Sequence, residues 1–418
     1  MSITLPEAVR PESVGMASKS LANIDDLAHT FIEEKAYRGV VVLVARHGEI
    51  CYFKAFGEAD EETPLKKDAV FRLASMSKVP SAVAVMQLFE QGKISLHEPI
   101  SKYLPEFSEP KVAILENWGA LRLERAKREI TIHDLLSMTA GMTNTWWYNL
   151  FTPDCYRVVP KLYKEAGLMD DLDAPNITLE ENVKILARMP LIAQPGEMFD
   201  YSNNSVETLC RLVEVVSGVD FNRYLQENIF EPLGMRETWF FPPDEELHRV
   251  PAAFWAGTGE KHVEKHPLGL GMLGPDYTFS PHKTYFSGAA GLHGTTYDYF
   301  RFAQMLLNKG VLEGVRVLSR ASVELMTSNQ IGDLTNWQLT GNKWGYQLDI
   351  QEGVNAPGGS LHYLGGPGAY SWQGFWSTKF VNNPAHDTVI MTMSTPGFDG
   401  ALPNNLRMIA AAAAAVED

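Results

Sequence analysis

Apolar residues recur at helical spacing between residues 17 and 35, where Leu21, Ile24, Leu27, Phe31 and Ile32 fall on one face. The pattern then changes. Gly39 to Ala45 is valine-rich and Cys51 to Phe56 also reads as strand, with His47-Gly48-Glu49 as the turn of an antiparallel hairpin. Val70 to Leu73 is a short strand-like run that gives way to a helix over about 75–91. That helix carries Val79, Ala82, Val83, Val85, Met86, Leu88 and Phe89 and stops at Gly92.

From 99 to 280 the pattern is helical and rich in loops. Thr131 caps a helix opening at Ile132, with Asp134 three residues on. Ser202 to Val216 has helical spacing and ends at Gly218; Phe221 to Ile229 gives another short helix. Strand character returns after 285. Thr295 caps a helix running to about Asn308, Tyr346–Ile350, Tyr370–Val381 and Thr388–Ser394 read as strands, and Asn405–Val416 reads as a closing helix. Sheet material thus lies at both ends of the chain with a helical stretch between. This predicts a mixed α/β and all-α architecture: an antiparallel sheet flanked by helices and built from both chain ends, with a helical lobe inserted. The expected division is a discontinuous α/β domain, 1–74 with 284–418, and a mainly helical domain, 75–283.

The 418 residues suffice for two domains. A hydrophobic share of 45% and a charged share of 21% are those of an ordinary globular protein. The formal net charge of −15 argues against nucleic acid and anionic membrane surfaces as partners. The opening residues have neither a basic nor an apolar signal region, and no apolar run is long enough to span a membrane. Cys51, Cys155 and Cys210 are widely spaced and odd in number, so they read as reduced thiols of a cytoplasmic protein. The oligomeric state is left open.

Against that background one stretch carries chemistry. A serine hydroxyl is a poor nucleophile until something takes its proton. In Ser75-Met76-Ser77-Lys78 the lysine stands three residues on, one turn away on the same helix face. Burial would lower its pKa and let it accept the proton. A second copy of the spacing, Ser108-Glu109-Pro110-Lys111, lies among prolines that break a helix, so nothing aligns its two side chains. Tyr201-Ser202-Asn203 opens a later helix: a tyrosine whose pKa is depressed by a neighbouring cation can shuttle protons, and an asparagine can both donate and accept. Taken alone, the pair also reads as a half-buried tyrosine beside a helix cap. Trp372-Gln373-Gly374-Phe375 lies near a sheet edge, where a glycine lets a ligand or another backbone approach closely; alone, it also reads as an aromatic packing strand.

The three motifs in this order resemble the serine β-lactamase and penicillin-binding-protein superfamily. The similarity is strongest to its class C β-lactamase-like branch and, within that, to the family VIII carboxylesterases. It runs through "FRLASMSKVPSAVAVMQLFEQGKISLHEPISKYLPEF", "ITIHDLLSMTAGM", "PGEMFDYSNNSVETLCRLVEVVSG", "IFEPLGM" and "GLHGTTYDYFRFAQMLLNKGVL", covering roughly residues 15–415. The resemblance implies a β-lactamase/transpeptidase-like fold, Ser75 as the acylated nucleophile, Lys78 as its base, and Tyr201 and Asn203 as the family's Y-x-N. Trp372-Gln373-Gly374 falls where β-lactamases carry K-T-G and many of the esterases W-G-G. The oxyanion hole it implies is the backbone N–H pair of Ser75 and Phe375. Trp372 in place of a lysine removes the cation that holds a substrate carboxylate, which points to small neutral esters or amides. The reading is therefore a carboxylesterase-type serine hydrolase. The alternatives are an amidase, D-aminopeptidase or weak β-lactamase on the same machinery, an acyltransferase, or a non-catalytic binding protein on the scaffold.

No cofactor is called for. Gly269-Leu270-Gly271-Met272-Leu273-Gly274 fits a dinucleotide pattern, but Pro275 follows it where a helix would be needed. His262-Val263-Glu264-Lys265-His266 reads as an exposed hairpin rather than a metal site. G-x-S-x-G and H-E-x-x-H motifs are both absent. Trp146-Trp147-Tyr148 with Phe151 could line an acyl or alcohol pocket or fill the core of the lobe.

Overall fold

A computed structural model describes residues 5–60, 62–116, 120–145, 155–169, 176–253, 275–335, 342–352, 366–394 and 398–417. Its centre is an eight-stranded antiparallel sheet. In chain order the strands are β1 (Gly39–Arg46), β2 (Glu49–Asp60), β3 (Thr63–Pro64), β4 (Lys343–Trp344), β5 (Asp349–Ile350), β6 (Tyr370–Gln373), β7 (Lys379–Asn383) and β8 (Thr388–Ser394). In space they run β4-β5-β6-β7-β8-β1-β2-β3. The two chain ends therefore meet in the middle, where β1 pairs with β8 from Val40↔Ser394 to Arg46↔Thr388.

Every residue of β1 is buried, because both sheet faces are covered. Val40, Val42 and Val44 pack under helices α1 (Ser18–Glu33) and α5 (Phe398–Ala413), against Leu21, Ile24, Phe31, Met408 and Ile409. Val41 and Leu43 face the opposite way, into the larger core around helices α2 (Lys78–Glu90), α3 (Asn203–Ser217) and α4 (Thr296–Leu307). Alternating side chains thus build two cores from one strand. The expected caps are in place: Thr131 forms a capping box with Asp134, Thr295 accepts from the Asp298 N–H, and Gly218 closes α3 at φ 78°.

The structure departs from the sequence expectation in four places. The run 370–381 is two strands, β6 and β7, joined by a turn over 374–378, where Ser377 takes φ 56°. Only Asp349–Ile350 of the expected Tyr346–Ile350 strand is extended in the sheet; Gln347 turns the chain at φ 62°. The lobe contains a hairpin, Lys111–Leu115 with Leu121–Arg125, and its Thr238–Trp239 joins the flanking Val70–Arg72 and His293–Thr295 in a three-stranded sheet. The closing helix begins earlier, at Phe398, with Pro403 in its opening turns. Among the described residues no helix is long and apolar enough to cross a membrane.

Candidate active site

Strand Val70–Arg72 feeds a single 3₁₀ turn, Ala74–Ser77, and α2 begins only at Lys78. Ser75 therefore sits before the α-helix rather than on it. The three-residue spacing still works, because side chains at i and i+3 eclipse in a 3₁₀ turn. Ala74 takes φ 43°, a left-handed conformation that costs a non-glycine residue on the order of 1 kcal/mol. The strain is held from both sides: Leu73 N–H donates to Leu292 O at 2.9 Å and Met76 N–H to Leu73 O at 3.0 Å. Ser75 is half-buried, whereas every residue from Lys78 to Leu88 is buried.

Lys78 is the hub. Its Nζ donates to Ser75 Oγ at 3.1 Å, to Asn203 Oδ1 at 2.6 Å and to the Ala289 carbonyl at 2.7 Å. Burial is the main influence on this amine and brings it from 10.5 down to about 7, against an opposing pull from Glu207. An amine in that range is partly neutral near pH 7 and can take a proton from the serine it touches.

Asn203 opens α3, so the helix start aims its amide at Lys78. The loop carrying Asn144 clamps this start: Asn144 Nδ2 donates to Tyr201 O at 2.8 Å and Asn203 N–H to Asn144 Oδ1 at 2.8 Å. Tyr201 differs from the sequence expectation. Burial pushes its phenol far above the ordinary value, and the opposing hydrogen-bonding influences of Ser75 and the Trp372 indole do not offset it. Lys78 Nζ lies 4.8 Å from the centroid of the Tyr201 ring, so the cation faces the π-system. Tyr201 thus keeps its proton across neutral pH. The two groups are driven apart, one towards base and one towards acid.

Strand β6 supplies the remaining wall. Trp372 is buried, with its ring 5.3 Å from Tyr201 and 4.5 Å, edge-on, from Trp344. Trp344, on β4, also reaches Tyr201 at 6.1 Å and Phe199 at 5.5 Å. Gly374 follows β6 where the strand meets the turn carrying Ser75. A Cβ there would fall 2.3 Å from both Leu73 O and Thr378 Oγ1, so only glycine lets the two backbones approach this closely. Phe375 packs with Ala74 and Trp376, next to Ser75.

The structure therefore brings Ser75, Lys78, Tyr201, Asn203, Trp372, Gly374 and Phe375 together. Ser108 and Lys111 are exposed, Ser108 closing the 3₁₀ turn Pro105–Phe107 and Lys111 opening the strand Lys111–Leu115, so no single helix turn aligns the two side chains. Sequence reasoning missed Asn144, Trp344 and Ala289. Ala289 acts through its carbonyl and has no side-chain signature, while Trp344 is known only by its packing. Trp146-Trp147-Tyr148, Phe151, the His262–His266 stretch and the Gly269–Gly274 pattern lie outside the described residues. Among the described residues no group of three or more His, Cys, Asp or Glu could hold a metal ion.

Comparison with known proteins gives a consistent picture. The model of the Beta-lactamase family matches residues 24–414. Esterase EstB of Burkholderia gladioli is 27% identical over 406 residues, covering 93% of this chain and 94% of its own. Protein Rv1367c of Mycobacterium tuberculosis (strain ATCC 25618 / H37Rv) is 29% identical over 368 residues, covering 84% of each. The solved structure of EstCE1, described as a hydrolase with promiscuous acyltransferase activity, matches with a TM-score of 0.77 at 26% identity, covering 94% of this chain and 99% of that one.

Proposed function

The chain belongs to the Beta-lactamase family and is a serine hydrolase of that family, and we propose that it cleaves small neutral carboxylic esters through an acyl-enzyme on Ser75. The observation that carries the mechanism is the buried Lys78 amine, 3.1 Å from Ser75 Oγ and brought to about 7. Ser75 Oγ attacks the ester carbonyl carbon as its proton passes to Lys78 Nζ. The C=O electron pair moves onto oxygen, where the N–H groups of Ser75 and Phe375 stabilise it; such preorganised donors are commonly worth about 3–4 kcal/mol of barrier. The pair returns, the C–O bond to the alcohol breaks, and Tyr201 hands the leaving oxygen a proton that Lys78 replenishes. Water then repeats the sequence on the acyl-enzyme and frees the acid and Ser75. An alcohol in place of water would give acyl transfer, the second activity named for EstCE1.

The neutral-ester preference rests on Trp372. A cation at this position would pair with a substrate carboxylate through a charge-assisted contact. The indole offers no charge, and it is packed edge-on against Trp344 beside Tyr201. The test is kcat/KM for a butyrate aryl ester against nitrocefin. The ester should be turned over much faster; equal or faster nitrocefin turnover would transfer the reading to the β-lactamase alternative.

A further inference from the structure

Behind Lys78 the lobe buries a carboxylate that none of the steps above uses. Glu207 stands four residues beyond Asn203 on α3, so both side chains project from the same helix face. It is only 1% exposed. Ser287 Oγ donates to Glu207 Oε1 and accepts from the Ala290 N–H at 3.2 Å. Between Ser287 and Ala290 lies Ala289, whose carbonyl accepts from Lys78. The segment is pressed against both helices. A Cβ on Gly288 would fall 2.2 Å from Cys210 Sγ and 2.5 Å from Ser81 Oγ, and Ser81 Oγ donates to Gly288 O at 2.9 Å. One path therefore runs from the Glu207 carboxylate through Ser287 to the carbonyl that holds the base.

The charges around this path are few. Lys78 feels Glu207 and Cys210 from α3. Burial pushes the Cys210 thiol well above its ordinary value, so it stays neutral. Tyr277 and Tyr285, which also feel Glu207, are pushed up and neutral for the same reason. Tyr201 faces Lys78 through its ring and keeps its proton. Among these groups Glu207 is the carboxylate, and its pull on Lys78 favours the protonated amine.

We propose that Glu207, acting through Ser287, is a positioning residue that fixes the Ala289 carbonyl on Lys78 and sets the pH at which the base of Ser75 becomes available. This rests on Lys78 being the general base. Glu207→Gln keeps an acceptor for Ser287 and removes the charge; Ser287→Ala removes the donor that stabilises the carboxylate. The experiment is the pH dependence of kcat/KM for an aryl butyrate with wild type and both variants, alongside intact-mass measurement of an organophosphonate adduct on Ser75. Glu207→Gln should move the acidic limb to lower pH by about one unit, the scale of losing one partly screened buried charge. Ser287→Ala should move it the same way by less and lower kcat with KM held, and it carries the test alone should Glu207→Gln fail to fold. Acidic limbs that coincide with wild type in the folded variants, with Ser75 still labelled, would overturn the role of Glu207. Turnover without any label on Ser75 would overturn the Ser75–Lys78 reading itself, and this proposal with it.

Discussion

At the scale of single residues the site depends on a lysine kept where a charge is costly. Lys78 is fully buried, and Ser75 Oγ, Asn203 Oδ1 and Ala289 O accept from its Nζ, so the polar end of the side chain is not left unpaired in the core. Under the proposed mechanism the neutral amine is the active form, so kcat/KM for an ester should rise with pH through about 7 and level off above it. A flat profile between pH 6 and 8 would remove Lys78 as base. Lys78→Ala and Tyr201→Phe should each lower kcat by about a hundredfold or more. Their double variant should lose far less than the product if, as proposed, they move one proton as a unit; full additivity would assign them separate tasks. Ser75, Lys78, Tyr201 and Asn203 were legible in the sequence because their chemistry lies in side chains at motif spacing. The direction in which Tyr201 titrates was not, because burial decides it and depends on Trp372 and Trp344, which come from strands far along the chain.

Elements place these groups by close backbone contact. The 3₁₀ turn carrying Ser75 is clamped between Leu292 and the end of β6. Gly374→Ala should push β6 away from Leu73, displacing Phe375 and the turn carrying Ser75. A misplacement near 1 Å costs on the order of a hundredfold in rate, so kcat should fall steeply while far-UV circular dichroism stays native. Wild-type kcat in a folded Gly374→Ala would mean that this contact does not tune the site. The hairpin of β1 and β2, the capped helices and the last sheet strand were readable from period and punctuation. The β6–β7 turn was not. Its residues 374–378, Gly-Phe-Trp-Ser-Thr, carry no Asn-Gly or Asp-Gly signal, and the left-handed position falls on Ser377, so the stretch reads as one apolar strand. The 3₁₀ entry to α2 was invisible for a related reason: three-residue spacing serves both helix types.

Over the whole molecule, both chain ends complete one sheet, and the strands that flank the lobe in sequence, Val70–Arg72 and His293–Thr295, pair with each other. His293 anchors that junction, with Nδ1 against Phe240 O at 3.0 Å and Nε2 against Thr278 Oγ1 at 2.8 Å. Burial lowers its pKa from 6.5 to about 3. The folded state therefore binds fewer protons than the unfolded chain between those values, and stability present above pH 6.5 is lost as pH falls. By pH 5 that loss is roughly 2 kcal/mol from this one group. Urea unfolding at pH 6.5 and pH 5 should show it in wild type and not in His293→Gln; an equal pH-dependence in both proteins would place the acid sensitivity elsewhere. Sheet–lobe–sheet order was legible because helical and strand periods occupy separate stretches of the chain, whereas the small junction sheet joins two- and three-residue strands too short to show a period. The central claim, an acyl-enzyme on Ser75, is tested most directly by peptide mass mapping of the protein acid-quenched during turnover of an aryl butyrate. The account predicts a butyryl group on the peptide containing Ser75 and none on the same peptide of Ser75→Ala. A butyryl group on another residue, or full turnover by folded Ser75→Ala, would contradict it.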